Sequence, residues 1–545
     1  MAKIADRRAE SKELVGRDQS GQTGYYKDLR EYIRLLEQKA KLVRIKREIN
    51  KDTELHPLVR WQFRGLPERE RKAFLFESVT DVKGRKYGIP VLVAAHAPST
   101  EIYAMAMMTT PEDIMEKWEQ AQLHPVKPKI VASGPVQEVV HMGDSLLEHG
   151  GLEEFPVPIS TPGFDNAPYL SAGNWISKDP DSGVVNIGNY RGMVKSNLRL
   201  GLMGGGHHRL NWQKYKARGA SAMPAAIVIG PTPNIGLVAT ARLPRDVSEY
   251  DIAGGIAGQP VELVKCKTVD LEVPATAEIV IEGEMPTEYL EVEGPFGEFH
   301  GYMGMGAPSI FLNVTCITHR RRPIWNAFIS QFPPSESSTL RGIGTDAPVY
   351  KFLKHDLNLA DIVDVAFHRE IGVRPLCVIK MKDPTKISVW AALKGVDAVS
   401  SQVKIVIAVD DDIDPRDMDS VMWALGSRMQ PDRDILIAPG KSGSQDMPPE
   451  EKRKTGRGEE SSSSILIDAT RKWNYPPVSL PGKEFMERAR KIWEEEGLPP
   501  LNPKVPWHGY SLGYWTKQDE EEAELALRGE HYKTGEKQAR NRTKI

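Results

Sequence analysis

The chain has 545 residues, 40% hydrophobic and 27% charged, with a formal net charge of −2. This is the balance of a globular protein of about two to four domains. A near-neutral chain gives no reason to expect a nucleic-acid or acidic-membrane partner, and no apolar run approaches a membrane span. Three cysteines, Cys266, Cys316 and Cys377, are widely spaced in apolar contexts. They read as buried free thiols, not as a disulfide framework or a zinc ribbon.

Residues 1–24 form a polar, charged tail without the apolar core of a signal peptide, so a cytoplasmic location is expected. Leu29, Ile33, Leu36 and Ala40 recur at helical spacing and predict a helix over 27–41. Strands are expected at 42–45, 73–76 and 91–94. A helix is expected over 99–120, with Thr110-Pro111-Glu112-Asp113 as a helix-start signal. An N-terminal α/β domain over 25–128 follows.

From 129 to 335 short β-branched runs alternate with Gly and Pro, as at 226–229, 279–281 and 310–314. This spacing predicts a β-barrel or a strongly bent sheet, interrupted by helices from His208 to Gly219 and from Val247 to Gly255. Apolar strands at 378–380, 404–409 and 435–437, with a helix over 418–429 between them, predict an α/β domain over 336–480. Residues 442–464 read as a long polar loop. A helix over 483–496 and a charged tail end the chain, the last unit being 481–545. The class is therefore α/β, multidomain.

The chemistry centres on Glu293-Gly294-Pro295-Phe296-Gly297-Glu298. Pro295 fixes one backbone angle, and Gly294 and Gly297 admit angles closed to other residues. Two carboxylates are thereby held in fixed relative positions, which is useful when one must stay ionised while the other carries a proton. Alone, such a pair reads as two solvated acids. Upstream lies Asn186-Ile187-Gly188-Asn189-Tyr190-Arg191, after a hairpin-like Asp179-Pro180-Asp181-Ser182-Gly183 turn. Asn186 and Arg191 have opposite strand parity, so a bend at Gly188 would be needed to bring both to one site. Gly204-Gly205-Gly206-His207-His208 offers backbone amides to a phosphate but lacks the Gly-Lys-Ser/Thr of a P-loop. Asn186, one histidine of the pair and Glu249 would suit a hard or Mn²⁺-like cation, though no spacing motif assembles them.

These segments occur in one order with Val264-Lys265-Cys266, Val273-Pro274-Ala275 and Glu278-Ile279-Val280-Ile281-Glu282-Gly283. Val409-Asp410-Asp411-Asp412-Ile413-Asp414, Trp423-Ala424 and Asp468-Ala469-Thr470 follow. The series resembles the UbiD family of prenylated-FMN-dependent decarboxylases over roughly residues 25–500. The resemblance implies a central flavin-reductase-like split barrel. It also implies prenylated FMN bound through a divalent metal, usually Mn²⁺, with K⁺ beside it. Asn186, His207 and Glu249 match the metal ligands, with spacing to Glu249 favouring His207 over His208. Ile187, Tyr190 and Arg191 fall beside the cofactor, and Lys404 matches a phosphate-contacting lysine. Arg191, Glu293 and Glu298 match the catalytic network.

By that resemblance Arg191 pairs with Glu293, and Glu298 is the general acid that protonates the carbon after CO₂ leaves. The partners implied are a small carboxylic acid, CO₂, a flavin prenyltransferase that supplies the cofactor, and further copies of the chain as a dimer or hexamer. Substrates in view are aromatic, heteroaromatic, α,β-unsaturated and aryl-CoA acids. Met303, Met305, Phe328, Ile329 and Phe332 are candidate pocket walls, with core packing as the alternative. Two other functions compete. An FMN-dependent oxidoreductase would carry a nicotinamide-binding Gly-x-Gly-x-x-Gly after a strand, and none is found. A non-catalytic carboxylase subunit need not retain Arg191, Glu293 and Glu298.

Overall fold

The computed structural model describes residues 24–441 and 462–540, apart from Gly204, Arg242, Phe299, His300, Gln331, Glu370, Val373, Arg374, Ser401 and Asn502. The expected tail up to residue 23 and nearly all of the expected 442–464 loop lie outside the described residues. The last three residues of that span belong to the strand Ser462–Asp468.

The first helix is Leu29–Gln38, capped by Asp28, whose side chain accepts from Glu31 N–H. Leu29, Tyr32, Ile33 and Leu36 form its buried face. Strands Leu42–Ile45, Ala73–Phe76 and Val91–Val93 follow in one sheet, joined at its edge by Trp325–Ala327. That late strand runs parallel to Val91–Val93 and ties the end of the central region to the N-terminal sheet. The single helix expected over 99–120 is two, Thr100–Ala106 and Ile114–Leu123. Met108 takes a positive φ of 53° between them, and Pro111 opens a short 3₁₀ turn at Pro111–Asp113. A helix over Leu55–Gly65 was not expected.

Among the described residues the central sheet has ten strands. Its main path runs Val185–Asn189, Asn174–Lys178, Ala222–Ile229, Ile279–Pro286, Ala307–His319, Arg199–Leu202, Gly192–Ser196, Tyr169–Leu170. The long strand Ala307–His319 also pairs with Val139–Met142 and Glu291–Glu293. Both faces are covered. Ile227, Ile229, Ile279 and Ile281 enter one apolar cluster, and the alternate residues Ala226, Val228 and Val280 enter another. Among the described residues the path stays open, because Val185–Asn189 and Tyr169–Leu170 end it without meeting. Of the two expected forms, a closed barrel is therefore excluded.

A five-stranded sheet follows, ordered Ile362–Phe367, Leu376–Met381, Ile405–Asp410, Ser462–Asp468, Ile435–Lys441. Its inner pairs are parallel and its two edges antiparallel. Helices Lys386–Val399 and Met418–Arg428 pack on it. The fold class is thus mixed helix and sheet, as the sequence indicates. The helix Lys483–Glu495 buries none of its residues within the chain. All three cysteines are free, Cys316 and Cys377 buried and Cys266 partly so. No described helix is long and apolar enough to cross a membrane.

Candidate active site

Two groups of side chains converge where the Val185–Asn189 strand ends. The hairpin that carries this strand turns through Asp179–Gly183, with Gly183 at φ 75°. Arg191 reaches its site from the link after the strand's last residue, so the bend expected at Gly188 is not what aligns it with Asn186.

In the first group, Asn186 projects from the strand toward Glu249, the first residue of the helix Glu249–Ala257. Asn186 Nδ2 donates to Glu249 Oε1 at 3.0 Å and lies 3.5 Å from His207 Nδ1. The Ile187 N–H donates to Glu249 Oε2 at 2.8 Å. Burial pushes the Glu249 carboxyl up to about 7, with the Ile187 N–H pulling the other way. Asn186 Oδ1 is buried and has no hydrogen-bond partner among the described residues. A cavity of about 20 Å³ adjoins Asn186 and His207, lined also by Lys214 and Arg245, with room for about one water-sized sphere. The Asn186 amide oxygen without a partner, the His207 imidazole beside it and the Glu249 carboxylate bonded to the same amide are a donor set that fits a divalent cation. The helix Gly206–Ala217 begins beside it, with Gly205 at its cap offering no side chain to the first amides.

The two histidines part company. His207 faces Asn186. His208 is fully buried, with Nε2 3.2 Å from Met285 Sδ and its ring against Trp175 and Tyr190. Burial holds its imidazole down at about 3.

In the second group, Arg191 grips both loop carboxylates. Nε and Nη2 bond Glu293 Oε1 and Oε2 at 2.8 and 2.7 Å, and Nη1 bonds Glu298 Oε1. The side chains of Arg191 and Glu293 are 8% and 0% exposed, against 14% for Glu298, so Glu298 is the carboxylate nearer solvent. Burial works against the Arg191 charge, but the bond to Glu293 and the charge of Glu298 outweigh it and its proton is held more tightly than usual. The guanidinium also lies over the Phe296 ring, 5.1 Å from its centroid.

The loop itself is clamped. Asn166 Nδ2 donates to Gly294 O, Tyr169 Oη donates to Pro295 O, and Phe296–Gly297 pairs antiparallel with Met303–Gly304. Gly294 takes φ 100°, which only glycine adopts readily.

Tyr190 sits between the groups. Its hydroxyl accepts from the His208 backbone N–H, and its ionisation is coupled to Glu249 and to Arg341. Arg341 and Asp165 are site residues that sequence reasoning missed. Arg341, on the helix Glu336–Lys351, has its charge opposed by burial and favoured by Glu298 and Tyr190. Asp165 is raised to about 6 by burial, with Arg191 acting against that rise. The signal for Arg341 was a lone cation in a segment rich in Ser, Thr and Gly from 335 to 347. Lys404 immediately precedes the strand Ile405–Asp410, and its N–H donates to Pro375 O while its carbonyl accepts from the Ile465 N–H. Of the expected pocket walls, Phe328 and Ile329 are 2% exposed core residues, while Met305 and Phe332 are exposed and Met303 is half-buried.

Three family descriptions match the chain. They are the 3-octaprenyl-4-hydroxybenzoate carboxy-lyase N-terminal domain at 33–122, the Rift-related domain at 129–333 and the C-terminal domain at 338–469. An uncharacterized protein of Aquifex aeolicus is 34% identical over 87% of this chain and 100% of its own length. An evolved dimeric form of the UbiD-class enzyme HmfF from Pelotomaculum thermopropionicum, in complex with prFMN, superposes with a TM-score of 0.73. It is 31% identical over 86% of this chain and 100% of that one. The vanillic acid decarboxylase of Sedimentibacter hydroxybenzoicus also gives a TM-score of 0.73, at 27% identity over 86% of this chain and 99% of its own. The chain belongs to the UbiD family of carboxy-lyases.

Proposed function

We propose that the chain catalyses the reversible decarboxylation of an aromatic, heteroaromatic or α,β-unsaturated carboxylic acid with prenylated FMN as cofactor. The observation that carries this reading is the single guanidinium of Arg191 shared by a buried carboxylate and a more accessible one. When bound, prenylated FMN supplies the electron sink that loss of CO₂ from an sp² carbon requires.

The protein's part is to hold, orient and move a proton. Asn186, His207 and Glu249 would hold a divalent cation, Mn²⁺ by preference, that anchors the cofactor, with Arg245 and the N-terminus of Gly206–Ala217 adding positive potential nearby. K⁺ is proposed beside it. Glu293, bonded on both oxygens, fixes Arg191. Glu298, bonded on one oxygen and nearer solvent, exchanges its proton and delivers it to the carbon after CO₂ departs. Arg341 is a second cation whose charge acts on Glu298. A flavin prenyltransferase supplies the cofactor. The exposed face of Lys483–Glu495, with Ile492 54% exposed, supports docking of a second copy.

The test is to produce the chain together with a flavin prenyltransferase, purify it with Mn²⁺ and K⁺, and follow CO₂ release from a panel of such acids. Release that depends on prenylated FMN is expected. A flavin- and metal-loaded protein inert toward every acid in the panel, in both directions, would contradict the proposal.

A further inference from the structure

Outside the site described above, two imidazoles and a carboxylate meet at one end of the central sheet. His141 lies in the strand Val139–Met142, and His319 is the last residue of Ala307–His319. The strands are antiparallel neighbours, with Ile317 opposite His141. Glu154 ends the 3₁₀ turn Gly151–Glu154 that leads back toward them. The two Nε2 atoms are 3.2 Å apart. Glu154 oxygens lie 3.6 Å from His141 Nε2 and 3.7 Å from His319 Nε2. The histidine side chains are 9% and 6% exposed, and Glu154 is 21% exposed.

We propose that His141, Glu154 and His319 bind a zinc ion, at a site separate from Asn186, His207 and Glu249. Two observations carry this. The first is the outer partner of His319. Its Nδ1 lies 2.7 Å from Arg320 O, and a carbonyl can only accept, so Nδ1 bears the proton and Nε2 presents its lone pair to the cluster. Zinc-ligating histidines use this arrangement to fix tautomer and ring orientation. Arg320 is itself anchored, donating to Thr276 O and Ala277 O, so the accepting carbonyl is held in place.

The second is spacing. Zinc bonds of about 2.0–2.1 Å in a tetrahedron set neighbouring ligand atoms roughly 3.3 Å apart. Here the two Nε2 atoms are 3.2 Å apart, Glu154 presents Oε2 to His141 at 3.6 Å and Oε1 to His319 at 3.7 Å, and one donor atom from each residue lies within 4.8 Å of the others. Two imidazoles and one carboxylate are a zinc donor set, whereas Mg²⁺ and Ca²⁺ select oxygen. The exposed His149 stands close by, its ring edge-on to His141 with centroids 5.0 Å apart. The ion would clip the 143–154 excursion to the end of the long strand.

The experiment titrates the full chain, stripped by chelator, with zinc alone, reading stoichiometry by elemental analysis and affinity by competition with a chromogenic chelator. The wild type is expected to bind zinc at this cluster, and His207→Ala to keep one equivalent. Glu154→Gln, a substitution at the more exposed ligand that preserves shape, should weaken binding at least about tenfold. It should also abolish the zinc-induced rise in melting temperature. Co²⁺ bound to His207→Ala should give the intense visible bands of a tetrahedral site. No zinc retained by His207→Ala, or equal zinc affinity in His207→Ala and in His207→Ala combined with Glu154→Gln, would mean a hydrogen-bonded imidazole pair only and would overturn the proposal.

Discussion

Gly304 lies against Glu298 so closely that a methyl group on its Cα would stand 2.9 Å from both Cγ and Oε1 of the glutamate. Gly304 lies opposite Phe296 in the small antiparallel pair Phe296–Gly297 and Met303–Gly304, and Glu298 follows two residues after Phe296 with its N–H on Tyr302 O. The proposed proton donor therefore keeps its place because its neighbour has no side chain. Gly304 has a backbone angle that alanine adopts, so Gly304→Ala changes position without removing a functional group. Turnover is expected to fall by roughly tenfold to a hundredfold, the scale of a displacement of about 1 Å. Metal, flavin and melting temperature should be retained. Wild-type kcat in a Gly304→Ala protein would show that Glu298 tolerates displacement.

Arg191 is the common partner of two carboxylates, one with a side chain wholly out of solvent. Arg191→Met leaves Glu293 buried and uncompensated, a change expected to cost about 3–5 kcal/mol. Adding Glu293→Gln removes that charge and should return part of the loss. Chemical denaturation of the two variants measures both numbers. A loss below about 1 kcal/mol in Arg191→Met would place the pair in the regime of solvent-exposed ion pairs.

The histidine pair makes a sharp comparison. His207→Ala should lose divalent metal and flavin together while the fold persists, since His207 is only half-buried. His208→Ala should keep both but melt earlier, by roughly 2–4 kcal/mol for an emptied core position. Full flavin occupancy in His207→Ala would remove it from the ligand set.

Acid stability offers a test of the core beside the site. His96 is buried, its ring edge-on to Phe328, and neither ring nitrogen has a hydrogen-bond partner among the described residues. Burial holds its imidazole down at about 4. The unfolded chain takes up this proton near 6.5. Between these values the unfolded state binds more protons, so stability is full above about pH 6.5 and declines as pH falls toward about 4, at up to ~1.4 kcal/mol per pH unit. His96→Leu should flatten that part of the acid limb. Superimposable limbs would show that His96 takes up its proton as readily in the folded chain as in the unfolded one.

Much of this was legible in the sequence for local reasons. The strand Leu42–Ile45, the hairpin around Gly183 and the helix Lys483–Glu495 follow from alternation, turn residues and helical spacing that need no distant partner. The helix Leu55–Gly65 was not expected although Leu55, Val59 and Phe63 recur four apart and line its buried face. The open path of the central sheet depends on which strands meet after long intervals, as Arg199–Leu202 does with Ala307–His319. Spacing carries no record of that. The same holds for Asp165 and Arg341, which reach the site from segments far from the loop in sequence. Asn186, His207, Glu249, Arg191, Glu293 and Glu298 were found by resemblance, because no local pattern joins them.

The most direct test of the account is Glu298→Gln in protein loaded with prenylated FMN, assayed in D₂O for deuterium entering the product carbon. The carboxamide keeps the shape but cannot deliver a carboxylic-acid proton. Metal and flavin contents should match the wild type, while turnover and deuterium exchange fall together by roughly two orders of magnitude or more. Turnover and exchange near wild-type values in that variant would contradict the assignment of Glu298 as the acid.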